Sequence, residues 1–267
     1  MRVLILLLLA AGAAFALGCQ ESGFDERKET ARPLKVQHVR GESKVPGQAE
    51  RPATLTVDSL DDTLALGLRP VRAAVPGLKL PPYLREPAAG VELMRPVGEA
   101  DLPALEAGTP DVIVGDQGAL YDDLSAIAPT VITEGGSGQW KLNLRLVGEA
   151  LGRTNDAEAL LIDYDRRVAG VRRAIRGRLK VAVARMTGDG MRLAERDSFA
   201  GTLLADAGLR QARSLEDADL ILASQPPEAS THVDGRLARV ADATWWGPGG
   251  VFAARAALGE LNAILRR

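Results

Sequence analysis

The chain holds a single cysteine, Cys19, and only two histidines, His38 and His232, in 267 residues. One cysteine excludes an internal disulfide, so an exported form of the protein must fold on its core alone. The histidines lie far apart, without Cys or acidic companions at ligand spacing. That argues against a protein-built zinc site and against a Cys/His catalytic pair. The formal net charge is −2, which makes no whole-protein case for nucleic acid or an acidic membrane as partner. No Gly-x-Ser-x-Gly elbow surrounds Ser198. The Gly-rich stretches GGSGQW and GPGG lack the Lys-Ser/Thr of a phosphate loop. These absences turn the reading away from an enzyme, towards a binding protein or an interaction module.

Hydrophobic residues make up 46% of the chain and charged ones 25%, enough for a packed core. The stretch Trp140 to Arg176 is the organising element. Its first part carries Leu144, Leu146, Val147 and Leu151 mostly on one helical face. Gly152 and Asn155 interrupt it, and Asn155 with Glu158 predicts a capping box for a second helix. Leu160, Leu161, Tyr164, Val168, Val171 and Ile175 then form a stripe along a helix roughly 30 Å long. Such a helix either belongs to one domain's core or joins two lobes.

The flanking segments favour the join. ATLTV (53–57) reads as a strand, with Ser59 and Asp62 capping a helix that stops at Gly67. Strands follow at 68–74, 111–114 and 130–133, with helices at 101–106 and 121–127 and a Pro-rich loop at 80–98. After the long helix the plan repeats: strands at 179–184, 218–223 and 237–240, helices at 198–207 and 252–265. Alternating strands and helices predict parallel α/β sheets. The expected fold is α/β, two small lobes joined by a long helix, with a ligand cleft at the carboxyl ends of the strands. LKVQHVRGESKV (34–45) alternates around Gly41 as a hairpin would. The expected domains are 1–18 signal, 19–33 tether, 34–140 N-terminal lobe, 141–177 connecting helices and 178–267 C-terminal lobe.

Met1-Arg2 and the apolar run Val3 to Leu17 look like a signal peptide, too short for a comfortable bilayer span. Ala16-Leu17-Gly18-Cys19 resembles the lipobox of bacterial lipoproteins, which implies a lipid on Cys19. An ordinary secretory signal is the alternative. The rest of the chain, from about Leu34 to Arg267, resembles the substrate-binding lipoproteins of iron–siderophore ABC importers. This is the helical-backbone class III of periplasmic binding proteins, with haem and cobalamin binders among its relatives. VDSLDDTLALGLRPV, VGEADLPALEAGTPDVIVGDQ, YDDLSAIAPTVI, WKLNLRLVGEALGRTNDAEALLIDYDRRV and SFAGTLLADAGL carry the resemblance in order, and ATWWGPGG resembles a common C-terminal loop of siderophore binders. Between Ala223 and Leu237 the chain is shorter than the family, and Ala100 and Pro103 replace the usual Pro and Glu of the first-lobe motif.

The resemblance implies a monomer on the extracytoplasmic side, held to the membrane by its lipid alone. It implies no intrinsic cofactor, no metal ligands and no nucleic acid. It implies partners in an ABC permease with its ATPase, and a ferric siderophore as ligand. Haem, cobalamin or a ligandless interaction module are the alternatives. A bulky anionic chelate calls for cations and flat rings. Arg185 follows LKVAVA, where the family often has a ligand-binding Arg; a surface ion pair is the other reading. Trp245 and Trp246 are consecutive, so their rings are not both buried on one face; one is expected in the cleft, the alternative being a core Trp beside an exposed one. Trp140 is either cleft wall or hinge packing. Tyr83, Arg85 and Arg192 are further loop candidates. Asp58 and the pair Asp116-Gln117 read as caps and turn formers. By resemblance, Glu99 and Asp197 are the acidic residues that would dock the permease, one per lobe; a helix-start Asp is also an ordinary cap.

Overall fold

The computed structural model describes residues 32–188, 190–224 and 236–266. The expected signal, Cys19 and its lipid, most of the tether, His232 and the shortened loop at 225–235 lie outside the described residues.

The described chain opens with β1 (Leu34–His38) and β2 (Gly41–Val45), an antiparallel hairpin in register His38↔Gly41, as expected. Next come β3 (Pro52–Thr54), α1 (Val57–Ala65), β4 (Arg72–Ala74), β5 (Leu93–Met94), α2 (Leu102–Ala107), β6 (Val112–Gly115), α3 (Tyr121–Ile127) and β7 (Thr130–Ile132). The strands from β3 to β7 form a parallel sheet in the order β5-β4-β3-β6-β7. Two helices follow, α4 (Trp140–Ala150) and α5 (Thr154–Ala174). The last part holds β8 (Lys180–Thr187), β9 (Gly190–Leu193), α6 (Phe199–Asp206), β10 (Arg210–Gln211), β11 (Leu220–Ala223), β12 (Arg236–Arg239), α7 (Asp242–Trp245) and α8 (Val251–Leu265). Its sheet runs β10-β8-β11-β12, all parallel, with β9 antiparallel on β8. Every residue of β6 and of β11 is buried, as parallel strands covered on both faces require.

The fold is therefore α/β, with two lobes and a long connecting helix. At 21 residues α5 is about 30 Å long. Its stripe of Leu161, Tyr164, Val168 and Val171 is buried as the period demands. A continuous core runs from Val112 and Val114 of the first sheet, through α4, α5 and α8, to Val183 and Leu222 of the second.

Several local expectations fail for identifiable reasons. The Asn155–Glu158 capping box does not form. Helix α5 starts at Thr154, which puts Asn155 inside its first turn, and Glu158 pairs instead with Arg145 of α4. The break before it depends on Gly152, at φ +69°; a Cβ there would stand 2.1 Å from the carbonyl oxygen of Gly47. Ser59 and Asp62 do not start α1. That helix begins two residues ahead of Ser59, whose hydroxyl accepts from the Thr56 amide at 3.1 Å, and Asp62 is buried. Strand β8 runs on to Thr187, and β9 is an addition to the expected plan, although GDG between Thr187 and Met191 carries a hairpin signal.

The hairpin is clipped to the first lobe through His38. Its Nδ1 accepts from the amides of Arg40 (3.2 Å) and Ile132 (3.4 Å). That leaves Nε2–H to donate to Ser43 Oγ (3.0 Å), whose hydroxyl donates to the Thr130 carbonyl (2.7 Å). Burial holds the His38 pKa below its ordinary 6.5. The fold thus prefers the neutral ring, so this stability is fully present above about 6.5 and lost as the pH falls through the lowered value. We expect the protection of the amides in residues 34–45, their slowing relative to the chemical rate, to fall from pH 7.5 to 5.5, and His38→Gln to remove most of that change. Equal pH slopes in both proteins would refute the clip.

Candidate functional site

In the first sheet the chain order reverses between β3 and β6, and ligands of such sheets gather outside the strand carboxyl ends at that point. Two adjoining cavities lie there, of about 320 and 420 Å³, and they share Val57, Pro76 and Pro248. The inner one is floored by Leu55–Asp58 after β3 and by Asp116-Gln117 after β6, with Glu134 and Ser137 beyond β7. The outer one is bounded by Lys79–Tyr83 and Arg85 of the first lobe and by Ala243, Gly247 and Pro248 of the second. Together they form a trough between the lobes. A wider depression of about 730 Å³, lined by Arg173, Arg176, Arg236 and Arg266, lies at the amino ends of β11 and β12, the wrong end of the sheet for such a site.

In the second sheet the chain order reverses between β8 and β11, and Arg185 stands on β8 there, outside the lining of both cavities. Its guanidinium lies 5.0 Å from the centre of the Trp246 ring and 3.6 Å from Asp242. Arg192 on β9 is its direct cross-strand neighbour. Trp246 precedes Gly247 and Pro248 of the trough wall and is half-buried; its Nε1 has no acceptor among the described residues. The Tyr83 hydroxyl is likewise buried without a partner, and sits 3.6 Å from where a Cβ on Gly247 would be. Burial and the nearby Asp61 and Asp58 push the Tyr83 pKa up, so the phenol stays a donor.

The structure thus brings Arg185, Arg192 and Trp246 together in the second lobe, and puts Tyr83 and Arg85 on the outer cavity. Two expected contacts fall elsewhere. Trp245 is fully buried, with Nε1 donating to Glu260 of α8 at 2.9 Å, because consecutive residues of α7 point about 100° apart. Trp140 is also buried, edge-on to Tyr164 (4.9 Å) and Phe199 (6.0 Å), so it packs in the core and lines neither cavity. Glu99 and Asp197 are both exposed. The cap of α6 is Ser198, whose Oγ accepts from Gly201 at 3.2 Å, so Asp197 has no capping duty.

Sequence reasoning undervalued the floor. Asp58 sits in the first turn of α1, and Asp116 and Gln117 follow the end of β6; all three line the inner cavity. Burial raises the Asp58 pKa first, with Asp116 adding to it. Position after a strand was the available signal.

The chain matches the periplasmic binding protein family over residues 53–225. It is 30% identical over 218 residues to the probable siderophore-binding lipoprotein YfiY of Bacillus subtilis, covering 78% of this chain and 67% of that one. The fold is similar to Staphylococcus aureus SirA complexed with staphyloferrin B, with TM-score 0.71 at 22% identity over 86% of this chain and 97% of that one. It is also similar to the petrobactin-binding protein YclQ of Bacillus subtilis, with TM-score 0.70 at 18% identity over 88% and 99%. At such identities the structures speak to the fold: two lobes with a connecting helix.

Proposed function

Because the chain belongs to the periplasmic binding protein family, whose members bind rather than catalyse, we propose that its trough captures a ferric siderophore for delivery to an ABC importer. The observation that carries this reading is the Arg185–Trp246 stack beside the trough wall. A guanidinium lying on an indole offers charge and a flat face together, which suits the anionic and often aromatic oxygens of a ferric chelate. The unspent donors Trp246 Nε1 and Tyr83 Oη point the same way, since buried donors without acceptors are costly until a ligand supplies them. The carboxylates of the floor favour a chelate that also carries hydroxyl or ammonium groups. The Bacillus subtilis relative is itself a probable siderophore-binding lipoprotein.

Around this site the remaining sequence expectations form one proposal. Cys19 carries the lipid, residues 19–33 are the tether, and the domain works outside the cytoplasmic membrane. Glu99 and Asp197, both exposed, meet cationic residues of the permease, one from each lobe.

Tryptophan fluorescence of a form starting after Cys19 tests the ligand. It is titrated with ferric catecholate, ferric hydroxamate, ferric citrate, haemin and cobalamin, each beside its metal-free control. Saturable quenching by one ferric chelate is expected, and Arg185→Ala should weaken that ligand about tenfold, roughly 1.4 kcal/mol. Quenching by haemin or cobalamin alone would replace the cargo. A folded protein silent to all of them would make the chain a ligandless module.

A further inference from the structure

Helix α8 begins without a cap of its own. Its N-cap residue is Gly250, which has no side chain to offer the free amides of the first turn. The acceptor comes from the other lobe. Asp61 of α1 is completely buried; its Oδ1 lies 2.7 Å from the Phe252 amide and its Oδ2 3.1 Å from the Ala253 amide. These residues are separated by 191 and 192 positions in the chain. Both oxygens of the carboxyl are thus committed to the start of one helix; the two amides and the helix dipole favour its charged form, against a burial that pushes its pKa up to about 7.

The clasp reaches the ligand site from two sides. One turn ahead of Asp61 on α1 are Val57 and Asp58, which line the trough. Directly ahead of α8 are Trp246, Gly247 and Pro248: the ring under Arg185 and the second-lobe wall. Holding the first amides of α8 therefore fixes where that five-residue loop, 246–250, ends relative to the floor.

Resting on the reading of the trough as a ligand site, we propose that Asp61 is a positioning residue for ligand binding. By capping α8 across the lobes it sets the 246–250 loop, and with it the Trp246–Arg185 pair, at the spacing the ligand needs. Asp62 is the internal control. It is the adjacent residue and equally buried, and it also faces the start of α8, through the Val251 amide, but it holds neither the Phe252 nor the Ala253 amide.

The test uses the full chain in detergent and reads residue-resolved amide exchange first, without ligand. In the unaltered protein, Phe252 and Ala253 should exchange as slowly as the interior of α8. If they exchange like free helix-start amides, the proposal is overturned without any variant. Asp61→Asn keeps the shape but presents one acceptor instead of two. It should speed exchange at these two amides at least about tenfold and weaken the ferric chelate about tenfold, while the interior of α5 keeps its protection. Asp61→Ala should exceed both changes, and Asp62→Asn should leave exchange at 252–253 and affinity within about twofold. Unchanged exchange in Asp61→Asn overturns the clasp, and so do equal losses in Asp61→Asn and Asp62→Asn. Faster exchange with full affinity overturns the positioning role. Absence of any ligand for the unaltered protein would defeat the siderophore reading alone, since the exchange measurement needs no ligand.

Discussion

Trp140→Ala is expected to cost about 3–5 kcal/mol of folding free energy, the range for deleting a large buried aromatic. The site cannot collapse to fill the space. Trp140 opens α4, and its ring meets Tyr164 of α5 and Phe199 of α6 nearly at right angles, at 79° and 75°. Three helices from both sides of the lobe junction are thus held by one side chain. Each has further anchors: the Tyr164 hydroxyl donates to Asp206, whose carboxylate also takes the Lys141 ammonium. The walls of the cavity would therefore stay in place. Trp140→Phe should lose much less than its volume implies, because the indole Nε1 is buried without an acceptor and its removal relieves an unsatisfied donor. Equilibrium denaturation in urea measures both variants. A loss below about 1 kcal/mol for the alanine variant would show that the junction repacks, and that Trp140 is no keystone.

Gly250→Ala should cost about 3–5 kcal/mol as well, by a different route. Gly250 has φ +113° and ψ 171°, a region that essentially only glycine occupies, worth roughly 1–3 kcal/mol of strain for any other residue. The added Cβ would also stand 2.4 Å from Asp61 Cγ, so the carboxylate must leave the amides it caps. Burial pushes the Asp61 pKa up to about 7, so the carboxyl is only partly charged near neutral pH, and each of the two hydrogen bonds lost there contributes about 0.5–1.5 kcal/mol. For a protein of this size the sum lowers the melting midpoint by roughly 10 °C. Calorimetry of Gly250→Ala beside Gly259→Ala makes the comparison. Gly259 is a mid-helix position where an added Cβ would meet nothing within 4 Å, and alanine there should be neutral to stabilising. Equal midpoints for the two variants would contradict both the strain and the clash.

What could be read from the sequence follows the range of the forces involved. Helix α3, Tyr121–Ile127, was legible to the residue, and β7, β11 and α8 to within two, because hydrophobic period is a local signal. The spine of α5 was legible because its buried stripe repeats over 21 residues. Arg185 was a candidate because it follows LKVAVA, and in the structure it meets both the Trp246 ring and the Asp242 carboxylate. The sequence also separated Trp245 from Trp246, since neighbours on a turn cannot share a face, but it had no means of saying which one faced inward.

Only the tertiary structure decided that. Glu260 of α8 takes the indole of Trp245, 15 residues away, and Arg185 on a different strand takes the face of Trp246. The same holds for Trp140, whose burial is made by partners on α5 and α6, and for Asp61, whose hydrogen-bond partners lie at the far end of the chain. Local sequence determined the elements, their order and the two-lobed plan, because backbone hydrogen bonding and side-chain period act over a few residues. The assignment of each polar or aromatic side chain to core, clasp or trough depended on contacts between elements far apart in the chain, which come into being only once the lobes are packed.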